Sequence, residues 1–201
     1  MKRYVALVLA AGSSTRMGRS KQLLTFGGES MLTRTVRIIQ EASVENVLVV
    51  LGDRADEHRQ HIHPLRVEVI INPIWNRGIG SSLKAGLAHI EDHYHPDAVI
   101  IAVCDQPFLS SNVIRSLIEQ YQTGRNSIVA AEYRGGPGVP AVFDKIHFPR
   151  LRNLPDHQGA KPIIQENLTT TCLIPFAGGD FDLDTPDDYA RLLRESASDS
   201  V

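Results

Sequence analysis

Leu7-Val8-Leu9-Ala10-Ala11-Gly12-Ser13-Ser14-Thr15-Arg16-Met17-Gly18-Arg19-Ser20-Lys21 is the stretch whose reading decides the fold. An apolar run from Tyr4 to Ala10 feeds directly into a loop of small residues that carries Arg16 and Lys21. Small side chains let backbone N–H groups approach a ligand closely, and consecutive N–H groups in such a turn form a concave anion site. Arg16 offers a planar fork that grips phosphate oxygens in pairs, while Lys21 is a compact charge on a flexible stem. Ala10, Ala11, Gly12, Ser13 and Ser14, with Arg16 and Lys21, therefore read as a polyphosphate cradle at the carboxyl end of the first strand of an α/β sheet. It is neither of the two commonest phosphate loops. Gly18 is followed by Arg19-Ser20-Lys21 rather than by Lys and Ser or Thr, and only Gly12 and Gly18 stand where a dinucleotide fingerprint needs three glycines. The competing reading is an ordinary strand-to-helix turn with incidental surface charge.

Outward from this loop, apolar runs alternate with amphipathic stretches, the pattern of a wound parallel sheet. Val47–Leu51, Val67–Ile71 and Ala98–Val103 read as further strands. Ser30 to Ala42 carries Met31, Leu32, Thr35, Ile38 and Ile39 at helical spacing. Leu83, Leu87 and Ile90 place a helix over Ser81 to Ile90, and Val113, Leu117 and Tyr121 repeat the pattern. After Gln122 the alternation weakens. Ser127–Glu132 and Val139–Phe143 read as strands flanking a turn at Gly135-Gly136-Pro137-Gly138, in a half that mixes antiparallel strands with short helices. Asp187 to Glu195 reads as a last helix with Pro186 just ahead of it. The expected architecture is a Rossmann-like three-layer α/β sandwich with a mostly parallel central sheet and a small mixed β/α appendage in the C-terminal half. Residues 1–195 read as one domain and 196–201 as a frayed, disordered tail.

Two further segments carry chemistry. Apolar residues lead into Cys104-Asp105-Gln106-Pro107, so the Asp105 carboxylate leaves a buried strand at its carboxyl end, the ligand side of open α/β sheets. A hard carboxylate there suits Mg²⁺, which keeps most of its water and bridges phosphate oxygens; the alternative makes Asp105 a turn residue before Pro107. In Phe181-Asp182-Leu183-Asp184, alternation puts both aspartates on one face, and either could complete the metal site. Asp187 and Asp188 suit a helix start, where negative charge meets unsatisfied N–H groups. In Asn72-Pro73-Ile74-Trp75-Asn76-Arg77-Gly78-Ile79-Gly80-Ser81-Ser82, backbone and hydroxyl groups of Gly80, Ser81 and Ser82 could read a nucleobase edge and ribose, and Gly80 or Ser81 could equally cap the following helix.

Leu-Ala-Ala-Gly-x-x-x-Arg-Met-Gly-x-x-Lys, followed by Gly78-Ile79-Gly80-Ser81-Ser82-Leu83, Asp105-Gln106-Pro107 and Phe181-Asp182-Leu183-Asp184-Thr185-Pro186-Asp187-Asp188, resembles the nucleotidyltransferases related to the molybdenum-cofactor enzymes. The Ala-Ala-Gly form is similar to molybdopterin cytidylyltransferases, whereas the guanylyltransferase branch more often shows Gly-Gly there. The resemblance spans nearly the whole chain. It implies transfer of CMP from CTP to a phosphorylated acceptor, molybdopterin favoured, with release of pyrophosphate. Lys21 would offset charge on the α-phosphate, and Arg16 with the loop amides would hold the pyrophosphate. It also implies Mg²⁺, or Mn²⁺, on Asp105 and on Asp182 or Asp184, with a lean to Asp182, and transient docking to a client molybdoenzyme. Two segments depart from the pattern: Gly138-Val139-Pro140 stands for the usual Gly-His-Pro, and Asp156-His157-Gln158-Gly159-Ala160-Lys161 for Gly-Asp-x-Gly-Ala-Arg. Both fall where the acceptor would bind. A sugar phosphate or another phosphorylated metabolite as acceptor, and a non-catalytic accessory protein that delivers the cofactor, are the competing readings.

The remaining features argue by exclusion. A net charge of -2 gives no sign of a nucleic-acid surface or an anionic-membrane patch, and no apolar run is long enough to span a bilayer. With no signal-peptide pattern, the expected location is cytoplasmic. Two cysteines, Cys104 and Cys172, make neither a disulfide framework nor a Cys-x-x-Cys metal site, and Cys104 reads as an inert buried thiol. His58, His61 and His63, and His89, His93 and His95, have suggestive spacing, yet Glu91 and Asp92 beside His89 and His93 point to a solvated surface, without a convergent third ligand. Trp75 suits either a pocket wall or the core, and Arg134 an exposed hairpin.

Overall fold

The computed structural model describes residues 2–198, and side chains through residue 195. Nine strands are found among them: β1 (Tyr4–Ala10), β2 (Thr25–Phe26), β3 (Glu29–Ser30), β4 (Val47–Leu51), β5 (Glu68–Ile71), β6 (Ala98–Val103), β7 (Ile128–Tyr133), β8 (Gly136–Asp144) and β9 (Thr171–Pro175). The helices are α1 (Met31–Glu41), α2 (Ala55–Ile62), α3 (Ile79–His93), α4 (Ser111–Gln122), α5 (Phe148–Arg152), α6 (Lys161–Glu166) and α7 (Pro186–Ser198). Seven strands form one sheet in the order β5-β4-β1-β6-β8-β7-β9, and β2 and β3 form a separate antiparallel pair. The pairings β1–β4, β4–β5, β1–β6 and β7–β9 are parallel, and only β8 runs against its neighbours.

The sequence of β1 explains its central place. Val5 to Ala10 are all buried, as a strand covered on both faces requires. Ala6, Val8 and Ala10 point into a core shared with α1 and α4, while Val5, Leu7 and Leu9 point into one shared with α3, α5 and α6. Fully burying one such aliphatic side chain stabilises by about 1.5–3 kcal/mol, so the two faces together fix β1 firmly between the helical layers. Gly86 lets α3 lie close to the sheet, because a Cβ there would stand 2.3 Å from Leu7 Cδ1 and 2.8 Å from Val50 Cγ2. The Ser30 hydroxyl accepts from the Thr33 N–H and so starts α1, and Ser110 does the same for α4 through Val113.

The three-layer, mostly parallel architecture is as the residue pattern indicates. The antiparallel strands and short helices of the C-terminal half are present, and their strands join the central sheet itself. Several boundaries differ. Gly136-Pro137-Gly138 belongs to β8 rather than to the turn, because these residues pair with Tyr133, Glu132 and Ala131 of β7. The turn is Arg134-Gly135. Helix α3 starts two residues before Ser81 and is capped by Gly78, not by Gly80 or Ser81. Helix α7 continues through Ser198, into the stretch expected to fray, and 199–201 lie outside the described residues. The β2–β3 hairpin and β9 were not anticipated.

From β1 the chain moves outward to β4 and β5, then crosses to β6 on the other side of β1. This reversal opens a crevice outside the carboxyl ends of β1 and β6, where open α/β sheets bind ligands. A third, smaller core of Met17, Leu24, Met31, Phe181, Leu183 and Leu192 sits beside it and anchors the segment carrying Asp182 and Asp184. The Leu183 N–H donates to the Asp105 carbonyl at 3.3 Å, tying that segment to the end of β6.

Candidate active site

A cavity of about 290 Å³ lies at this crevice, walled by Leu9 to Ser13, Lys21, Gln22, Trp75, Asn76, Gly78, Ile79, Ser82 and Val103 to Asp105. Ala10, Ala11, Gly12, Ser13, Lys21, Ser82 and Asp105, all picked out by sequence, thus face one space, and Trp75 serves as a wall. Buried Cys104 lies behind Asp105, and burial pushes its thiol up to about 12, which keeps it protonated and inert.

Charge is concentrated at one edge. The Lys21 ammonium lies 2.6 Å from Asp105 Oδ2 and 3.4 Å from Asp184 Oδ1, so one cation bridges two carboxylates. Burial works against that charge, but the Asp105 carboxylate outweighs it and holds Lys21 above the ordinary lysine range. Arg16, 72% exposed, pairs with Asp184 Oδ2 at 2.9 Å. Asp182 has no ion-pair partner among the described residues. Although the residue is open to solvent, partial desolvation of its carboxyl, followed by the charges of Asp105 and Asp184, pushes it up to about 6. Of the two aspartates it is Asp184 that shares the lysine with Asp105, while Asp182 feels the charges of both. Asp188 starts α7, accepting from the N–H groups of Asp184 and Thr185. No three His, Cys, Asp or Glu side chains converge to hold a metal ion unaided among the described residues. Two carboxylates around one cation is nonetheless the pattern Mg²⁺ uses when substrate phosphates and waters supply its other ligands.

Beneath the loop lies a side chain that sequence reading passed over. Gln22, 1% exposed, donates through Nε2 to the carbonyls of Gly12 at 2.7 Å and Ala10 at 3.3 Å. Its Oε1 accepts from the Ser20 and Ser14 hydroxyls at 2.8 and 3.1 Å. The Ser14 oxygen also accepts from the Lys21 N–H at 3.0 Å. The Ser14 hydroxyl is therefore committed to shaping the loop, which leaves its backbone amide as the group read for ligand contact. Buried His58 of α2 stands 2.7 Å from the Ser20 hydroxyl.

The α3 entrance is organised differently from expectation. Asn72, buried at the end of β5, donates to the Ser81 and Ser82 hydroxyls at 2.9 and 3.0 Å. The Ser81 hydroxyl is in turn directed at the carbonyls of Gly78 and Ile74. The N–H groups of Gly80 and Ser81 both donate to the Asp156 carbonyl, at 2.8 and 3.3 Å. Gly80 and Ser81 are thus supports rather than cavity contacts, because their polar groups are already satisfied inside the protein. Only Ser82 reaches the wall. A Cβ on Gly78, whose φ is +124°, would lie 2.5 Å from that same carbonyl, which is why glycine is needed where the two loops touch. Lys84 of α3 pins the Asp156 loop through its side chain and the Leu154 carbonyl.

Elsewhere, His89 hydrogen-bonds Glu68 at 2.6 Å and stacks on His93, and Arg134 is exposed on its turn. Gln22 follows Lys21 directly and Asn72 precedes a proline, so each read as part of its neighbour's local pattern. A buried amide reveals itself only when the chain is folded.

Residues 6–171 match the MobA-like NTP transferase domain. The chain is 31% identical over 148 residues to nicotine blue oxidoreductase of Paenarthrobacter nicotinovorans, covering 69% of each. It is 25% identical to a probable molybdenum cofactor guanylyltransferase of Bacillus cytotoxicus, covering 96% of this chain and 98% of that one. Among solved structures, Rv0371c of Mycobacterium tuberculosis is 27% identical and superposes with a TM-score of 0.81 over 96% of this chain and 98% of its own. Rv0371c complexed with manganese, at 25% identity, superposes with a TM-score of 0.80 over 96% and 98% of the two chains. A phosphate-type loop at the switch point, a lysine bridging two aspartates, and these likenesses lead to one statement: the chain belongs to the MobA-like NTP transferase family.

Proposed function

We propose that this protein transfers CMP from CTP to a phosphorylated acceptor of the molybdopterin kind and releases pyrophosphate. The observation that carries the reading is Lys21, held by Asp105 and Asp184 at the edge of a cavity walled by the Ala10–Ser13 loop. An acceptor phosphate attacks the α-phosphorus and pyrophosphate leaves in line, a reaction that depends on positioning and charge neutralisation. Lys21 moves from the carboxylates to the α-phosphate, where negative charge grows, and Arg16 with the loop amides retains the leaving group. Asp105 and Asp184, with Asp182 beside them, would hold Mg²⁺ or Mn²⁺; manganese is what the Rv0371c structure contains. Such a cation, when bound, would supply charge neutralisation to the phosphates. No general base is needed, since a phosphate nucleophile is ionised near neutral pH.

Support for CTP comes from the cavity wall. Ala10 and Ala11 are small, and Ser82, whose oxygen accepts from Asn72, keeps its proton for a ligand acceptor such as cytosine O2 or N3. Guanine would present N1–H and its amino group and leave donors facing donors, at about 1–3 kcal/mol per unpaired buried group. The guanylyltransferase relative argues for the purine, so the decisive test is direct competition. CTP and GTP are supplied together with a panel of acceptors, molybdopterin and sugar phosphates among them, while pyrophosphate and labelled product are measured. A tenfold or greater preference for CTP is expected from one mismatched edge. Equal use or a GTP preference removes the cytidylyl assignment, and product formation only with a sugar phosphate removes the pterin one. Absence of pyrophosphate with every acceptor would favour an accessory binding role.

A further inference from the structure

We propose that Gln22 is the positioning residue of the phosphate loop: its buried amide sets which way the loop's N–H groups face, and through them the affinity for the nucleoside triphosphate. This rests on the reading that the Ala10–Ser13 loop holds the nucleotide phosphates.

The geometry is specific. Both carbonyls that Gln22 binds belong to the loop, at Ala10 and Gly12. In a trans peptide the carbonyl and the N–H of the next residue point in opposite directions. Holding those carbonyls inward therefore turns the N–H groups of Ala11 and Ser13 away from Gln22, as donors an anion requires. A hydrophobic residue of the same length would leave two buried carbonyls without partners and the peptides free to turn. A carboxylate would face those carbonyls with negative charge.

The amide itself has a fixed orientation. Its nitrogen meets two acceptors, while its oxygen receives two hydroxyl protons, from Ser14 and Ser20. Since the Ser20 proton is spent on Gln22, His58 Nε2 must be the donor in its 2.7 Å contact with Ser20. A chain of hydrogen bonds thus runs from α2 through Ser20 and Gln22 to the loop. Ser14 adds an independent sign of constraint. It holds a left-handed backbone conformation at φ 55°, uncommon for a residue with a side chain, and its hydroxyl is clasped between Gln22 and the Lys21 N–H. The same residue that shapes the loop therefore also fixes where Lys21 begins.

Equilibrium titration of the full chain with Mg²⁺–CTP and Mg²⁺–GTP, well below the melting temperature, tests this with Gln22→Met, Gln22→Glu, Ser20→Ala and Leu117→Ala. Leu117 is buried on α4 and is not on the cavity wall, so it supplies a destabilised comparison. Gln22→Met is expected to weaken binding of whichever nucleotide the wild type takes by about tenfold or more, Gln22→Glu by at least as much, and Leu117→Ala by less than about twofold. A folded Gln22→Met protein that binds within about twofold of wild type overturns the proposal, as does an equal loss in Leu117→Ala. Should Gln22→Met not fold, Ser20→Ala decides: about two- to fivefold weakening supports the role and unchanged binding overturns it. A wild type that binds neither nucleotide overturns the phosphate-loop reading, and this inference with it.

Discussion

Lys21 and Arg16 sit on the same carboxylate yet differ in environment, and that difference predicts how each fails. Lys21 is largely enclosed and bound to Asp105 and Asp184, whereas Arg16 meets Asp184 from solvent. A group that acts where charge develops affects turnover, and one that holds the leaving group equally before and after reaction affects binding. Lys21→Ala should therefore lower kcat by about a hundredfold or more with little change in nucleotide KM, and Arg16→Ala should mainly raise KM. Steady-state kinetics with each variant checks this, and a pure KM effect for Lys21→Ala would falsify its assigned role. Asp182 gives a second prediction without any substrate. The fold raises its pKa from 3.8 to about 6, so the folded chain holds that proton more tightly than the unfolded chain does. The contribution of Asp182 to stability is thus fully present below about pH 4 and is lost as pH rises through about 6. Asp182→Asn should melt higher than wild type at pH 7 without divalent cation, and the advantage should vanish near pH 4. With solvent screening leaving roughly 1 kcal/mol of this desolvation and repulsion, the gain is about 2–4 °C.

The elements show how far local pattern reaches. β1, β4 and β6 have the limits their apolar runs indicate, because a strand covered on both faces announces itself without tertiary help. β9 escaped, since Thr171–Pro175 is half-buried, mixed in polarity and defined by pairing with β7. The Gly136-Pro137-Gly138 run has turn chemistry and yet lies in a strand, where partners on β7 override local preference. The site follows the same rule. That Lys21, Asp105 and the loop share one cavity was legible because motif chemistry is local, whereas the contacts of Gln22, Asn72 and the Asp156 carbonyl depend on segments far apart in sequence. Helix α3 joins both halves of that lesson, since its entrance forms the cavity wall and Gly86 sets its depth. Gly86→Val should force α3 away from Leu7 and Val50, costing about 1–3 kcal/mol of stability by overpacking, or about 2–12 °C in Tm. Thermal unfolding measures it, and an unchanged Tm would mean that the helix is free to shift.

At the scale of the whole molecule, the charge arrangement links metal and nucleotide. No helix among the described residues is long and apolar enough to cross a membrane. The Lys21 ammonium, with Arg16 beside it, already pairs with Asp105 and Asp184. A divalent cation alone must displace that ammonium and leave it buried without a partner, which opposes binding. A nucleotide alone offers phosphates to Lys21 and Arg16 but strands two carboxylates beside its own negative charge. Supplied together, the exchange balances: the carboxylates take the cation and the lysine and arginine take the phosphates. The Tm should therefore change little with MgCl₂ alone and little with nucleotide in EDTA. Both together at a hundred times the dissociation constant should raise it by roughly 5–10 °C. Asp105→Asn should abolish most of that joint shift, because one of the two carboxylates loses its charge while the fold keeps a nearly isosteric side chain. A large shift with nucleotide in EDTA, or an undiminished joint shift in Asp105→Asn, would show that the phosphates are held without the cation and that Asp105 is not its ligand.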